Sequence, residues 1–138
     1  MCGHATLASA HALYDSHRIT SRTIPLRFFT NFGEILTAEG KPNGLIELNF
    51  PSTPPTEESF SEEDLDAVMN GFSITSADIL YTGKTVYDRF VEITSSSFSR
   101  LGLIDLEALR TLGGRGVILT CKGGSAGCDF TSRFFAPW

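Results

Sequence analysis

At 138 residues the chain has the length of one average domain and can bury a sizeable core, and its 41 % hydrophobic and 20 % charged residues are ordinary for a globular protein. Eleven Lys and Arg stand against sixteen Asp and Glu, a formal net charge of -5 with the basic residues scattered, so nucleic acid is not expected as a partner. No window approaches ~18 uninterrupted apolar residues, and no basic patch leads into an apolar core, so neither a membrane span nor a signal peptide is expected.

The first helix is expected from about His4 to Tyr14. Ala5, Leu7, Ala8, Ala10, Ala12 and Leu13 make it apolar around nearly its whole circumference, which places it inside the protein, wrapped by strands. The polar run Asp15 to Arg18 ends it. Strands follow at Ile24 to Thr30 and Ile35 to Ala38, and Gly40-Lys41-Pro42-Asn43-Gly44 signals a turn. Ile46, Leu48 and Phe50 then alternate with Glu47 and Asn49 in the period-two pattern of a half-buried strand. Residues 1–52 therefore read as a β-meander packed on the first helix.

Pro51, Pro54 and Pro55 supply no backbone donor and break ladders, so residues 53–60 read as a linker to a second part, 61–138. Ser61 should cap a helix whose Glu62, Glu63 and Asp64 suit its positive end and whose Leu65, Val68 and Met69 face inward. Strands are expected at Ile79 to Thr82 and Val86 to Ile93, with Ser95-Ser96-Ser97 as a short low-complexity tract after them. Asp105 should cap a further helix with Leu106, Leu109 and Leu112 on one face, stopped by Gly113-Gly114. Val117 to Lys122 and Phe130 to Phe135 read as a hairpin. The carboxylates Glu57, Glu58, Glu62, Glu63 and Asp64 read as a solvated acidic face.

The chemistry concentrates at Cys2-Gly3-His4-Ala5-Thr6, where a loop becomes a helix. The first amides of a helix have no internal partner and carry a partial positive charge, so small residues there let a carboxylate approach them. Gly3 and Ala5 fit that need and Thr6 adds a hydroxyl. A neutral imidazole at His4 can both donate and accept, which suits a proton shuttle; the plainer alternative is that Gly3 and His4 only cap a core helix. His11, two turns on, reads as a hydrogen-bonded core histidine, and His17 as solvated. Cys2 beside a helix N-terminus could be a reactive thiol or merely structural. Cys121 and Cys128 could meet across the hairpin, but free thiols in a reducing cytoplasm are the simpler reading. No spacing of Cys, His and carboxylates suggests a metal.

The run from Cys2 to Leu13 resembles the hallmark segment of the phenazine-biosynthesis (PhzF-like) family, written around C-G-H-A-T-L-A. Gly114 to Thr120 and Asp129 to Trp138 resemble two further segments in that family's order, so the resemblance spans the chain. It implies an α+β fold of the diaminopimelate-epimerase type: two mixed β-barrel-type lobes, each around a central helix, both incomplete here. Residues 1–52 would be the C-terminal part of the first lobe and 61–138 the N-terminal part of the second. The resemblance further implies an isomerase that moves protons on a small carboxylate-bearing metabolite, without cofactor or metal. His4 would be the catalytic group, with Gly3, His4, Ala5 and Thr6 binding the substrate carboxylate. The family's acid/base glutamate, upstream of the motif, and its later E-D-P-x-T-G-S-A segment have no counterpart in the sequence. The expectation is thus a truncated chain with most catalytic groups missing, or a non-catalytic short form acting through a full-length relative or another protein. A homodimer is also expected from the resemblance. Cys2 matches the cysteine of the related C-G-N-G motif, but Cys121 and Cys128 lack the A-C-G-T-G context of a second catalytic thiol, so a two-thiol racemase is not expected.

Overall fold

The computed structural model describes residues 3–31, 33–123 and 127–137. These fall into two compact units, residues 1–52 and 53–138. The fold is mixed α+β, with a three-stranded sheet in the first unit and a five-stranded sheet in the second.

In the first unit a helix, α1 (Gly3–Asp15), is followed by strands β1 (Leu26–Phe29), β2 (Ile35–Gly40) and β3 (Ile46–Asn49), antiparallel and in that order. The helix buries one stripe, Thr6, Ala10 and Tyr14, spaced by four residues and so stacked on one face. Ala10 and Tyr14 pack with Ala38 of β2, and Ile19, Leu26, Phe28, Ile46 and Leu48 close around them. The small Ala10 and Ala38 let helix and sheet approach closely. The turn between β2 and β3 falls where Gly40 to Gly44 announces it: Gly44 has φ 84°, and Asn43 accepts from the Leu45 amide at 3.1 Å.

Two expectations for α1 fail. The helix is not wrapped: Leu7 is 41 % exposed, and Ala5, Ala8, Ala12 and His11 face solvent. Its composition is apolar all round, but three strands cover only one side of a cylinder. His11 is therefore an exposed residue and not a core histidine.

A charge pattern fixes the β2–β3 pair. Glu39 and Glu47 are directly opposite in the ladder, a repulsive arrangement. Lys41 Nζ sits 3.2 Å from both carboxylates, and its hydrogen bonds to Glu39 and then Glu47 hold its pKa above the ordinary lysine value.

In the second unit the order is β4 (Thr56–Glu57), α2 (Glu62–Phe72), β5 (Ile79–Lys84), β6 (Arg89–Ile93), α3 (Ser95–Ser99), α4 (Leu106–Arg110), β7 (Val117–Lys122) and β8 (Phe130–Phe135). The sheet runs β4-β5-β6-β7-β8; β6 and β7 are parallel, joined through α3 and α4, and the other neighbours are antiparallel. Val91, Ile93, Val117, Leu119 and Phe135 point to one face, where Val68 and Phe72 of α2 and Leu109 and Leu112 cover them.

Ser61 caps α2 by accepting from the Asp64 amide at 3.1 Å, and Glu62, Glu63 and Asp64 occupy its first turn. Residues 56–57 pair as a strand with Lys84 and Gly83, so the proline-rich segment already contributes to the sheet. Val86 lies in a turn, and its strand begins at Arg89, because the Thr85 hydroxyl captures the amides of Tyr87 and Asp88. Leu106 is 43 % exposed while Leu109 and Leu112 are buried, since a five-residue helix is too short to bury three leucines in a row. The serine tract is a helix, α3, capped by Thr94, whose side chain accepts from the Ser97 amide.

Glu58 and Asp64 are not merely solvated. Both converge on Arg89, at 3.3 and 3.6 Å; its guanidinium lies over the Phe60 ring and donates to the Leu112 carbonyl at 2.8 Å. Glu58 also pairs with Lys84 at 3.1 Å, and that hydrogen bond is the main cause lowering its pKa.

Helices α2 and α4 cross at Gly71, where a Cβ would collide with the Leu109 side chain. Gly71→Ala should therefore destabilise the second unit by about 1–3 kcal/mol despite alanine's better helix propensity. Urea unfolding with an unchanged m-value and a lower midpoint is the expected result.

Candidate functional site

The first turn of α1 presents the residues singled out in the sequence. Gly3 is half-buried, and the side of its Cα that lacks a side chain faces the Phe50 ring edge: a Cβ there would lie 3.4 Å from Phe50 Cε2. His4 and Ala5 are exposed. Thr6 is 7 % exposed and belongs to the buried stripe with Ala10 and Tyr14. The structure thus brings Gly3, His4 and Ala5 together on an open turn and turns the Thr6 position toward the sheet. Cys2 lies outside the described residues.

This helix start differs from that of α2 in one respect that matters for anions. Three carboxylates occupy the first turn of α2, whereas the first turn of α1 has none, so its amides carry a partial positive charge that no acidic side chain of that turn offsets. His11 and His17 line a separate hollow of about 270 Å³ with Tyr14, Asp15, Arg22 and Gly44, at the other end of the helix. His11 is therefore not a second base beside His4.

The thiols offer little. Cys121 is a buried free thiol in β7, and Cys128 is exposed. Among the described residues no three His, Cys, Asp or Glu side chains are grouped to hold a metal ion, and no helix is long and apolar enough to cross a membrane.

The second segment that carried the resemblance, Gly114-Arg115-Gly116, has a packing role. Gly114 has φ 75° and lies against the Tyr87 carbonyl, and a Cβ on Gly116 would strike the Phe135 carbonyl. Between them Arg115 makes a forked pair with the buried Asp88, 3.0 and 2.7 Å.

One perturbed carboxylate escaped the sequence reading. Asp78 accepts from the Ser97 hydroxyl and from the amide and hydroxyl of Thr75, in that order of effect, and these bonds lower its pKa from 3.8 to about 2. Ser97 is buried and also accepts from Thr94 Oγ1 and Arg100 Nη2. The cluster ties the turn before β5 to α3. It is a lock rather than a reacting group; serines spaced for an exposed tract gave no hint of it.

Comparison with known proteins agrees with this architecture. The family profile for phenazine biosynthesis-like proteins (PhzC-PhzF) matches residues 1–138, so the chain belongs to that family. An uncharacterized isomerase of Halalkalibacterium halodurans is 38 % identical over 137 residues, which cover 99 % of this chain and 48 % of the relative. The mouse phenazine biosynthesis-like domain-containing protein 1 is 39 % identical over 153 residues, covering all of this chain and 50 % of the relative. A crystal structure assigned to a phenazine biosynthesis PhzC/PhzF protein of Clostridium difficile superposes with a TM-score of 0.74 at 28 % identity, over 99 % of this chain and 48 % of that one. The fold is therefore that of the PhzC/PhzF proteins, consistent with the diaminopimelate-epimerase type, and the chain spans about half the length of the relatives it matches.

The Asp78 cluster makes a pH prediction. Because its pKa is depressed on folding, the stabilisation is complete above the unfolded value of 3.8 and disappears as pH falls through about 2. Wild type should be more stable than Asp78→Asn at neutral pH, and the two urea midpoints should converge on acidification from about pH 4 to about pH 2.

Proposed function

We propose that the α1 terminus is the carboxylate-binding half of an isomerase site that moves a proton on a small carboxylate-bearing metabolite without a cofactor, with His4 as the catalytic group. The observation that carries this reading is the first turn of α1: His4 and Ala5 are exposed in it, and no acidic side chain of that turn competes for its amides. Membership of the PhzC-PhzF family, with an isomerase among the relatives, supports it.

The substrate carboxylate would accept from the first-turn amides, which fixes the molecule relative to the imidazole. Proton transfer then takes one C–H proton from one carbon and returns one to another, so the molecule is rearranged with no oxidant consumed. Thr6, in the buried stripe, would shape the floor of the turn and need not touch the carboxylate. The remaining acid/base groups of such a site would come from residues corresponding to the half of the relatives that this chain does not span.

A second reading has its own observation. The outward face of α1, with Leu7 41 % exposed among Ala5, Ala8 and Ala12, is an apolar helix surface. It fits a non-catalytic short form that acts by associating with a full-length relative. Leu7→Glu should then abolish co-purification with that relative; undiminished co-purification removes this reading.

For the first reading, titrating acetate or succinate into isotope-labelled protein should shift the Gly3, His4 and Ala5 amide resonances. Ala5→Glu places a carboxylate on the positive helix end and should weaken that binding about fivefold while leaving the helix intact. Binding unaffected by both Ala5→Glu and His4→Ala would remove the α1 turn from the site.

A further inference from the structure

Asparagine is followed by glycine at Asn43-Gly44 and at Asn70-Gly71, whereas Asn31 and Asn49 are each followed by phenylalanine. With no Cβ on the glycine, its amide nitrogen stands unshielded beside the asparagine side chain. Asn43 and Asn70 are both exposed, so access to water does not separate them. The glycines do. Gly71 lies inside α2, where its amide belongs to the helical ladder and an added Cβ would collide with the Leu109 side chain. Gly44 stands at the tip of the β2–β3 hairpin, which the Lys41 amide closes by donating to the Leu45 carbonyl at 2.8 Å. A Cβ on Gly44 would meet nothing within 4 Å, so the peptide there has room to turn.

The hairpin tip also activates Asn43. Its Oδ1 accepts from the Leu45 amide at 3.1 Å. That N–H polarises the side-chain carbonyl and is already aimed at the oxygen that becomes negative when Cγ is attacked. One bond opposes the reaction: the Gly44 amide donates to the Lys41 carbonyl at 3.0 Å. Pro42 to Leu45 are all exposed, so this bond opens by local fraying, while freeing the Gly71 amide means unwinding α2 from Leu109.

We propose that Asn43-Gly44 is a self-modification site, at which Asn43 is converted in the folded protein to aspartate and isoaspartate while Asn70 is spared. The Gly44 amide nitrogen gives its proton to hydroxide and bonds to Asn43 Cγ. The Cγ–Nδ2 bond then breaks, and ammonia leaves with a proton taken from water, which regenerates the hydroxide. The cyclic imide that remains takes up one water. Attack at Cγ breaks the new bond and gives aspartate. Attack at the backbone carbonyl carbon breaks the original peptide bond and gives isoaspartate, whose main chain runs through the former side chain. The net change is one water consumed and one ammonia released, with no oxidant or reductant.

The products differ in what they do to the hairpin. Aspartate keeps an oxygen for the Leu45 amide. Isoaspartate adds a methylene to the main chain of a turn whose span the Lys41 and Leu45 backbone bond fixes, so β2 and β3 lose their tight closure. Those strands carry Ala38 and Leu48, which pack against α1. The inference goes beyond the isomerase reading and holds whether or not His4 is catalytic.

Incubating the intact chain at mildly alkaline pH, followed by isoelectric focusing and peptide mapping, tests this. The expected result is a more acidic species, modified at Asn43 as a mixture of aspartate and isoaspartate. Asn70 should react at least about tenfold more slowly until urea unfolds the chain. Asn43→Gln, whose longer side chain closes such a ring far less readily, should remove the acidic species. Asn43→Asp keeps the turn acceptor; it should focus with the product from the start and unfold at the wild-type urea midpoint, and the purified isoaspartate form should unfold at a lower one. An Asn43 that reacts in urea but stays intact in the folded chain overturns the proposal, as does an Asn70 that reacts as fast as Asn43 without urea. An isoaspartate form as stable as wild type overturns the loss of hairpin closure.

Discussion

A β-sheet has two faces, and in each unit of this chain helices cover only one of them. That constraint shapes most of what is observed. In the first unit the cover is the narrow Thr6–Ala10–Tyr14 stripe, whose small members let the helix lie close to β2 and β3. In the second it is α2 and α4, brought together at Gly71. The same geometry sets the character of the proposed site. One turn of α1 runs from exposed His4 and Ala5 to buried Thr6, so the open amides stand at the border between the covered and the bare side of the unit.

The polar groups divide in a way that strengthens the case for His4. In the second unit the conspicuous charges are already committed. Arg89 is held by Glu58 and Asp64, Arg115 by Asp88, and Asp78 by the hydroxyls of Thr75 and Ser97. Each ties one element to another, and a side chain fastened in that way is poorly suited to moving protons. A strongly shifted carboxylate is often a sign of function, but the shift at Asp78 has a complete structural explanation in its hydrogen bonds. His4, by contrast, stands open beside a helix end.

Much of this was legible in the sequence because short-range rules decided it. Ser61 and Asp105 capped helices as their positions predict, and the Ile46-to-Asn49 alternation gave a strand, whereas the helix after Asp105 ended at Arg110 with Thr111 as its C-cap, ahead of Gly113-Gly114. The motif around His4 pointed to the family and to the turn. What the sequence hid depends on partners far along the chain. The serine run became a helix because Thr94 caps it and Asp78, 19 residues upstream of Ser97, anchors it. Glu58 and Asp64 looked solvated because Arg89 is remote in sequence. The burial of α1 was overestimated for a different reason: an alanine-rich helix has no polar side to show which face meets water.

The Glu39–Lys41–Glu47 triad bears on how reliably the first unit folds. A strand that slips by one residue exposes its whole apolar set, so the hydrophobic pattern forbids that error. A slip of two residues returns every side chain to its proper face, and the hydrophobic pattern cannot detect it. Charge can. Left alone, the facing Glu39 and Glu47 would favour such a slip; Lys41, 3.2 Å from each carboxylate, offsets their repulsion and so removes a reason to leave the native alignment.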